Sequence, residues 1–245
     1  MKVIFVGPSL HRDLAFLRRR QDDIIWAGPA RCGDIARAVR SGVTAIALVD
    51  GLFDQSAAPW HKEVLYALSL GLPVAGGGSM GALRAAECAA FGMTGTGAIF
   101  RRYAAGELAD DAHVAQLHAP EELNYLPLTE PMVNVEPTLA LLDRQRVVST
   151  AAVEALTEAA RRIHYSERTY AEIVRRCTEL APEEAETVGA WLKTHAIDQK
   201  RLDALKVLEW LRLQPDIVPQ TAHLWDFQET TQWLQLLRTT KEEEQ

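Results

Sequence analysis

The chain has 245 residues, 48% of them apolar and 24% charged, which excludes a disordered or fibrous protein and leaves ample material for a buried core. Its 26 basic and 33 acidic residues give a net charge of −7, which argues against binding nucleic acid through general electrostatics. Three separated cysteines, Cys32, Cys88 and Cys177, form no CxxC pair, so neither a disulfide framework nor a cysteine-held metal is expected.

The first apolar run, VIFV at 3–6, is stopped by Gly7-Pro8 and is too short for a signal-peptide core. No stretch approaches 18 apolar residues. A cytoplasmic protein with no membrane contact is expected. The 3–6 run reads as a buried strand. Leu10, Leu14 and Leu17 follow at helical spacing, then a short apolar run, Ile24-Ile25-Trp26. A helix is expected over 34–40, with Ile35 and Val39 four apart, and a strand at 44–49 (TAIALV) ended by Asp50-Gly51. A helix over 60–70 carries Val64, Leu65 and Leu68 on one face. A short strand at 73–75 and a helix over 80–90 come next. This βαβα rhythm predicts an α/β fold, a mostly parallel sheet with flanking helices.

Residues 91–135 are punctuated by Gly92, Gly95, Gly97 and Gly106, then by Pro120, Pro127 and Pro131. Loops and short helices are expected there. From about Glu136 the periodicity is helical. The stripes are Val153, Leu156, Ala160 and Ile163; Tyr170, Ile173, Val174 and Cys177; Leu202, Leu205, Leu208 and Leu211; and Trp233, Leu234 and Leu237. The terminal KEEEQ reads as a frayed tail. The chain therefore divides on pattern into an α/β core, residues 1–135, and an all-helical region, residues 136–245, with most of the acidity in the helical part.

The segment richest in chemistry is GLPVAGGGSMGALRAAE at 71–87. Gly77-Gly78-Ser79-Met80-Gly81 matches G-x-S-x-G between a strand and a helix, the setting of a nucleophile elbow. Such a turn lifts the serine hydroxyl above the sheet edge and aims the next backbone N–H, here that of Met80, at a developing oxyanion. Gly76, Gly78 and Gly81 also match G-x-G-x-x-G, a dinucleotide cradle. That motif calls for a second strand ending in an acid, and Arg101-Arg102 stands in the matching region. A turn that merely packs a helix on the sheet is the third reading.

A serine needs a base. The 44–49 strand ends at the carboxyl edge of the sheet, and the next helix begins near Trp60-His61-Lys62-Glu63. That puts Lys62 at the same edge as Ser79, together with the loops Gly7-Pro8-Ser9 and Asp50-Gly51. A lysine acting as base must first lose its proton. The alternative is a solvated lysine at a helix end. Arg84 either receives an anionic substrate end or forms an i,i+3 pair with Glu87. Asp50, His61 and Glu63 are candidates to orient the Ser79–Lys62 pair. Asp110-Asp111 with His113 and His118 lacks a spacing that puts both imidazoles on one helical face, so no metal is expected. No cofactor is expected.

The runs VGPSL near the start, LVDGLF at 48–53, WHKEVLYAL at 60–68, SMGALRAAE at 79–87, FGMTGTGAIFRRY at 91–103 and Asp110-Asp111 resemble the TfuA-like proteins. The resemblance is closest over residues 44–135. It implies a partner of a YcaO enzyme in peptide backbone thioamidation, within ribosomal-peptide biosynthesis. The implied activity is hydrolysis of a thiocarboxylated ThiS-type sulfur-carrier protein, which supplies sulfide. The implied partners are the YcaO protein, the carrier and the precursor peptide, and a homo-oligomer is compatible. The family's Ser-Lys pair maps onto Ser79 and Lys62; Gly78, Met80 and Arg84 are the candidates from the residues themselves for the oxyanion and the substrate. The chain departs from the family pattern in the GGG ahead of Ser79 and in a shorter acidic run at 110–113. The alternatives are a non-catalytic adaptor that recruits peptide to a YcaO through Trp191, Trp210, Trp225 and Trp233, and a nucleotide-binding protein.

Overall fold

The structure is a computed structural model and describes every residue except 21–22, 53–55, 218–224 and 243–245. Phe53, the middle of the 50–59 loop and the side chains of the KEEEQ tail lie outside the described residues. Contacts gather the chain into two compact units, one of residues 1–109 with 201–245 and one of residues 110–200. The 1–135 and 136–245 parts expected from pattern are divisions by element type, whereas these units are divisions by contact.

The first unit is built on β1 (Lys2–Phe5), α1 (Leu14–Leu17), β2 (Ile24–Ala27), α2 (Asp34–Arg40), β3 (Ile46–Leu48), α3 (His61–Ser69), β4 (Val74–Gly76), α4 (Met80–Cys88), β5 (Thr94–Gly95) and α5 (Gly97–Ala104). All strand pairs are parallel, in the order β2-β1-β3-β4-β5. The parallel α/β fold with flanking helices and a helical C-terminal part is the one expected. Strands buried on both faces read as continuous apolar runs, and Ile4, Ile46, Ala47 and Leu48 are fully buried. Leu10, Leu14 and Leu17 are all buried, but a 3-10 turn at Pro8–Leu10 and the four-residue α1 carry them instead of one helix. The irregular stretch contains β5, which periodicity cannot reveal because it is two residues long and ends in glycine.

The second unit holds α6 (Met132–Arg144), α7 (Thr150–Arg162), α8 (Tyr170–Arg176) and α9 (Pro182–His195). Val135, Leu139, Leu142, Leu156, Ile163, Ile173 and Val188 form its core. The first helix starts at Met132, four residues before the helical pattern was expected, and contains Pro137. Pro131 precedes its first turn, where N–H groups lack intrahelical acceptors. α10 (Gln199–Arg212) and α11 (Thr231–Glu242) complete the helices. The buried face of α10 is Ala204, Val207, Leu208 and Leu211, while Leu202 is exposed. Counting leucines passes over the alanine and valine that complete the i, i+3, i+4, i+7 face. Trp233 is fully buried and Trp225 packs on the core of the first unit, so neither is a free surface ring. Among the described residues no helix is long and apolar enough to cross a membrane.

The junction of β4 and α4 is the tightest place in the first unit. The Gly81 N–H donates to the Val49 carbonyl at 3.0 Å. A Cβ on Gly81 would overlap the Leu48 carbonyl, and one on Gly76 would overlap that of Gly81. Gly78 has φ +75°, a left-handed conformation that L side chains resist. Gly81→Ala is therefore expected to destabilise the protein by about 3 kcal/mol, as backbone overlap allows no relief by a rotamer change. Gly189→Ala, in the open interior of α9 with nothing within 4 Å, is expected to stabilise it by roughly 0.5–1 kcal/mol. Urea denaturation of the two variants measures the contrast.

Candidate active site

The topology turns between β1 and β3, where an open parallel sheet leaves its ligand crevice. Here a buried carboxylate bridges its two sides. One Asp50 carboxylate oxygen accepts from the N–H groups of Gly7 (2.8 Å) and Ser9 (3.0 Å), and the other accepts from the Ser9 hydroxyl (2.7 Å). Asp50 and Ser9 are both 2% exposed. Asp50 thus stitches the loop after β1 to the end of β3. Its bonds to Gly7 and Ser9 hold the floor of the edge.

One strand further on stands Ser79. It precedes the first residue of α4 with φ −141° and ψ −127°, and its side chain does not cap the helix. The left-handed turn residue is Gly78, not the serine. Ser79 is 6% exposed. Among the described residues its hydroxyl has no hydrogen-bond partner, yet it is not one of the polar atoms sealed from solvent. Its backbone N–H donates to Gly77 (2.9 Å) and its carbonyl accepts from Ala82 (2.8 Å). The N–H groups of Gly78 and Met80 make no hydrogen bond among the described residues. A reachable hydroxyl therefore stands beside an unused donor at the positive end of a nine-residue helix.

The neighbouring helix shows the contrast. Asp203, fully buried on α10, accepts from the Ile99 N–H at 2.8 Å and lies where a Gly97 side chain would have to go. An internal carboxylate thus occupies the N-terminus of α5, and among the described residues no side chain caps that of α4. Thr96, beside Gly77, keeps a hydroxyl that is sealed and, among the described residues, without a partner.

α3 brings His61, Lys62 and Glu63 to the same edge, and successive residues on a helix point about 100° apart. His61 turns toward α4, where its Nε2 meets the Glu87 carboxylate at 2.7 Å. Arg84 donates to the Pro59 carbonyl (3.0 Å) and to Glu87 (2.7 Å). The i,i+3 pair with Glu87 is therefore formed, and the guanidinium also ties α4 to the start of α3. Lys62 turns the other way. Its ammonium donates to the Gln228 carbonyl and lies 4.6 Å from the centre of the Phe227 ring. Lys62 and Ser79 share the edge, but no hydrogen bond joins them.

Glu63 is fully buried. Its carboxylate accepts from the N–H groups of Gly33 (2.9 Å), Ala36 (3.3 Å) and Trp60 (3.0 Å). One side chain thus caps the starts of α2 and α3, a structural role in place of the orienting role expected. Burial pushes its pKa above the ordinary carboxylate value, and the three backbone donors oppose that shift. Cys32 and Cys88 are pushed up to about 11, in each case chiefly by burial, so neither offers a thiolate near neutrality. In the second unit, Asp110 caps its own turn through Ala112 (2.8 Å), the His113 Nδ1 faces the Asp110 carbonyl (3.2 Å) and the His118 Nδ1 faces that of Ala119 (2.8 Å).

Sequence reasoning put Ser9 at this edge, in the loop Gly7-Pro8-Ser9, without its bond to Asp50, and missed two further parts. Ser9 stands inside the quoted VGPSL run, which was the available signal. The acceptor for Lys62 and its aromatic neighbour, at 227–228, had none.

A family model described as TfuA-like protein matches residues 50–169, which include Lys62, Ser79, Met80 and Arg84. Among curated proteins none matches the chain.

The pH prediction comes from Glu63. The folded protein binds its proton more tightly than the unfolded chain does, so the stability it contributes is greatest below about 4.5 and falls as pH rises through the higher folded value. Glu63→Gln cannot titrate. The stability of wild type relative to Glu63→Gln is expected to decline across that rise, measured by urea titrations at pH 4 to 8.

Proposed function

The chain belongs to the TfuA-like family, and on that premise we propose that it is a Ser-Lys hydrolase that releases sulfide from a thiocarboxylated carrier protein of the ThiS type. Family membership supports a general role in a YcaO-associated system of peptide modification. The hydrolytic step, the carrier and the aid to YcaO substrate binding are the finer reading. The observation that carries it is the Ser79 hydroxyl, buried but reachable, which with the neighbouring Met80 N–H at the start of α4 has no hydrogen-bond partner among the described residues.

In the proposed reaction neutral Lys62 takes the Ser79 proton as the oxygen attacks the thiocarboxylate carbon. The Met80 N–H, with Gly78 beside it, faces the charge that develops on the carbonyl oxygen. The C–S bond breaks, and sulfur leaves with the proton that Lys62 carried. Water then attacks the Ser79 ester and regenerates the hydroxyl. The net change is thiocarboxylate plus water to carboxylate plus hydrogen sulfide, which balances without a redox partner. Asp50 and Glu63 contribute through the loops and helix starts they fix. Arg84 is joined to Glu87, so its charge reaches the site partly offset.

Ser79→Ala and Lys62→Ala are each expected to reduce sulfide release from carrier thiocarboxylate by at least about 10³-fold, the range seen when one member of a nucleophile–base unit is removed. Release at the wild-type rate by Ser79→Ala overturns the proposal.

A further inference from the structure

In the first unit, residues 226–230 form neither helix nor strand, and Asp226, Gln228, Glu229 and Thr230 are exposed. Aromatic rings hold the segment. Trp225 meets Phe91 edge-on at 5.4 Å between centres. Phe227 packs at 5.6 Å from Tyr66 and 5.4 Å from Trp233, and Tyr66 and Trp233 are 4.9 Å apart. Tyr66 lies four residues after Lys62 on α3, on the same helical face. The cluster therefore brings Phe227 and the Gln228 carbonyl up to the Lys62 side chain, and both engage its ammonium.

These two contacts suit an ammonium. An aromatic face attracts a cation through its quadrupole, and a carbonyl oxygen accepts an N–H but gives no proton back. These contacts engage the ammonium, no hydrogen bond joins it to Ser79, and among the described residues the Ser79 hydroxyl has no partner. The family match ends at residue 169, so residues 226–230 lie outside the matched region, whereas Lys62 and Tyr66 lie within it.

We propose that residues 226–230 are a strap that holds Lys62 off Ser79, so that the structure is a resting state and lifting the strap arms the site. The proposal rests on the Ser-Lys reading for its consequence but not for its geometry. A short exposed segment anchored by a few rings belongs to the low-stability end of a fold, where local opening is cheap.

The test separates the strap from the chemistry. Acetylation of Lys62 by acetic anhydride, followed by peptide mass spectrometry and normalised to the other lysines, reads the amine directly. Sulfide release is measured on the same samples. Phe227→Ala removes the ring. Phe227→Leu keeps an apolar filler between Tyr66 and Trp233 and guards against loss of folding. In both variants Lys62 acetylation is expected to rise at least threefold and sulfide release to increase. Faster acetylation with no sulfide release from either variant or the wild type supports the strap while contradicting the hydrolase. Unchanged acetylation of Lys62 in folded Phe227→Leu overturns the strap, whatever the activity.

Discussion

The geometry of the edge depends on one close approach of backbone to backbone. α4 begins where Gly81 lies against the end of β3, with no room for a side chain between its Cα and the Leu48 carbonyl. The N–H that faces Val49 locks this contact at 3.0 Å. Because the helix can start only there, Ser79 has one place to be, at the rim of the sheet with the helix end beneath it. Gly76 and Gly78 serve the same junction, one by yielding space to Gly81 and one by turning left-handed. The GGG that sets the chain apart from the family pattern is thus compatible with the turn. The packing requirement and the catalytic proposal share these residues, and the unpartnered hydroxyl distinguishes the second from the first.

Around that junction the fold manages its exposed helix ends unevenly. Glu63 serves the starts of α2 and α3 together, and Asp203 serves that of α5. Asp50 ties the loop after β1 to the end of β3, at the place where open parallel sheets leave a crevice for a ligand. Where α2, α3 and α5 start against buried carboxylates, α4 starts, among the described residues, with a hydroxyl and an N–H that bond to nothing. A helix end without an internal anion is suited to an external one, and a thiocarboxylate or the oxyanion derived from it has that charge.

The apolar runs at 3–6 and 44–49 announced β1 and β3 because strands covered on both faces need no alternation. β5 was invisible because Thr94 and Gly95 carry no apolar signal and are recruited by pairing with β4. The stripe on α10 was set on its leucines, while the fold buries Ala204 and Val207. At the site, topology alone put Ser79 and Lys62 on one edge, since two parallel crossovers start their helices there. It could not give the direction of a lysine side chain, which depends on what packs beside it. Phe227 and Gln228, more than 160 residues away in sequence, made that choice. Glu63 was legible as a residue of the edge but not as a cap, because its partners Gly33 and Ala36 carry no mark in the sequence.

The measurement closest to the central claim is the capture of the ester itself. Protein and thiocarboxylated carrier are mixed in equal amounts, quenched in acid over a time course, and mapped by mass spectrometry. The account predicts a transient link between the carrier's C-terminal carbonyl and the peptide containing Ser79, formed as sulfide appears and lost as carboxylate accumulates. Complete sulfide release with no Ser79 ester at any time, from quench points that bracket the turnover, would contradict it.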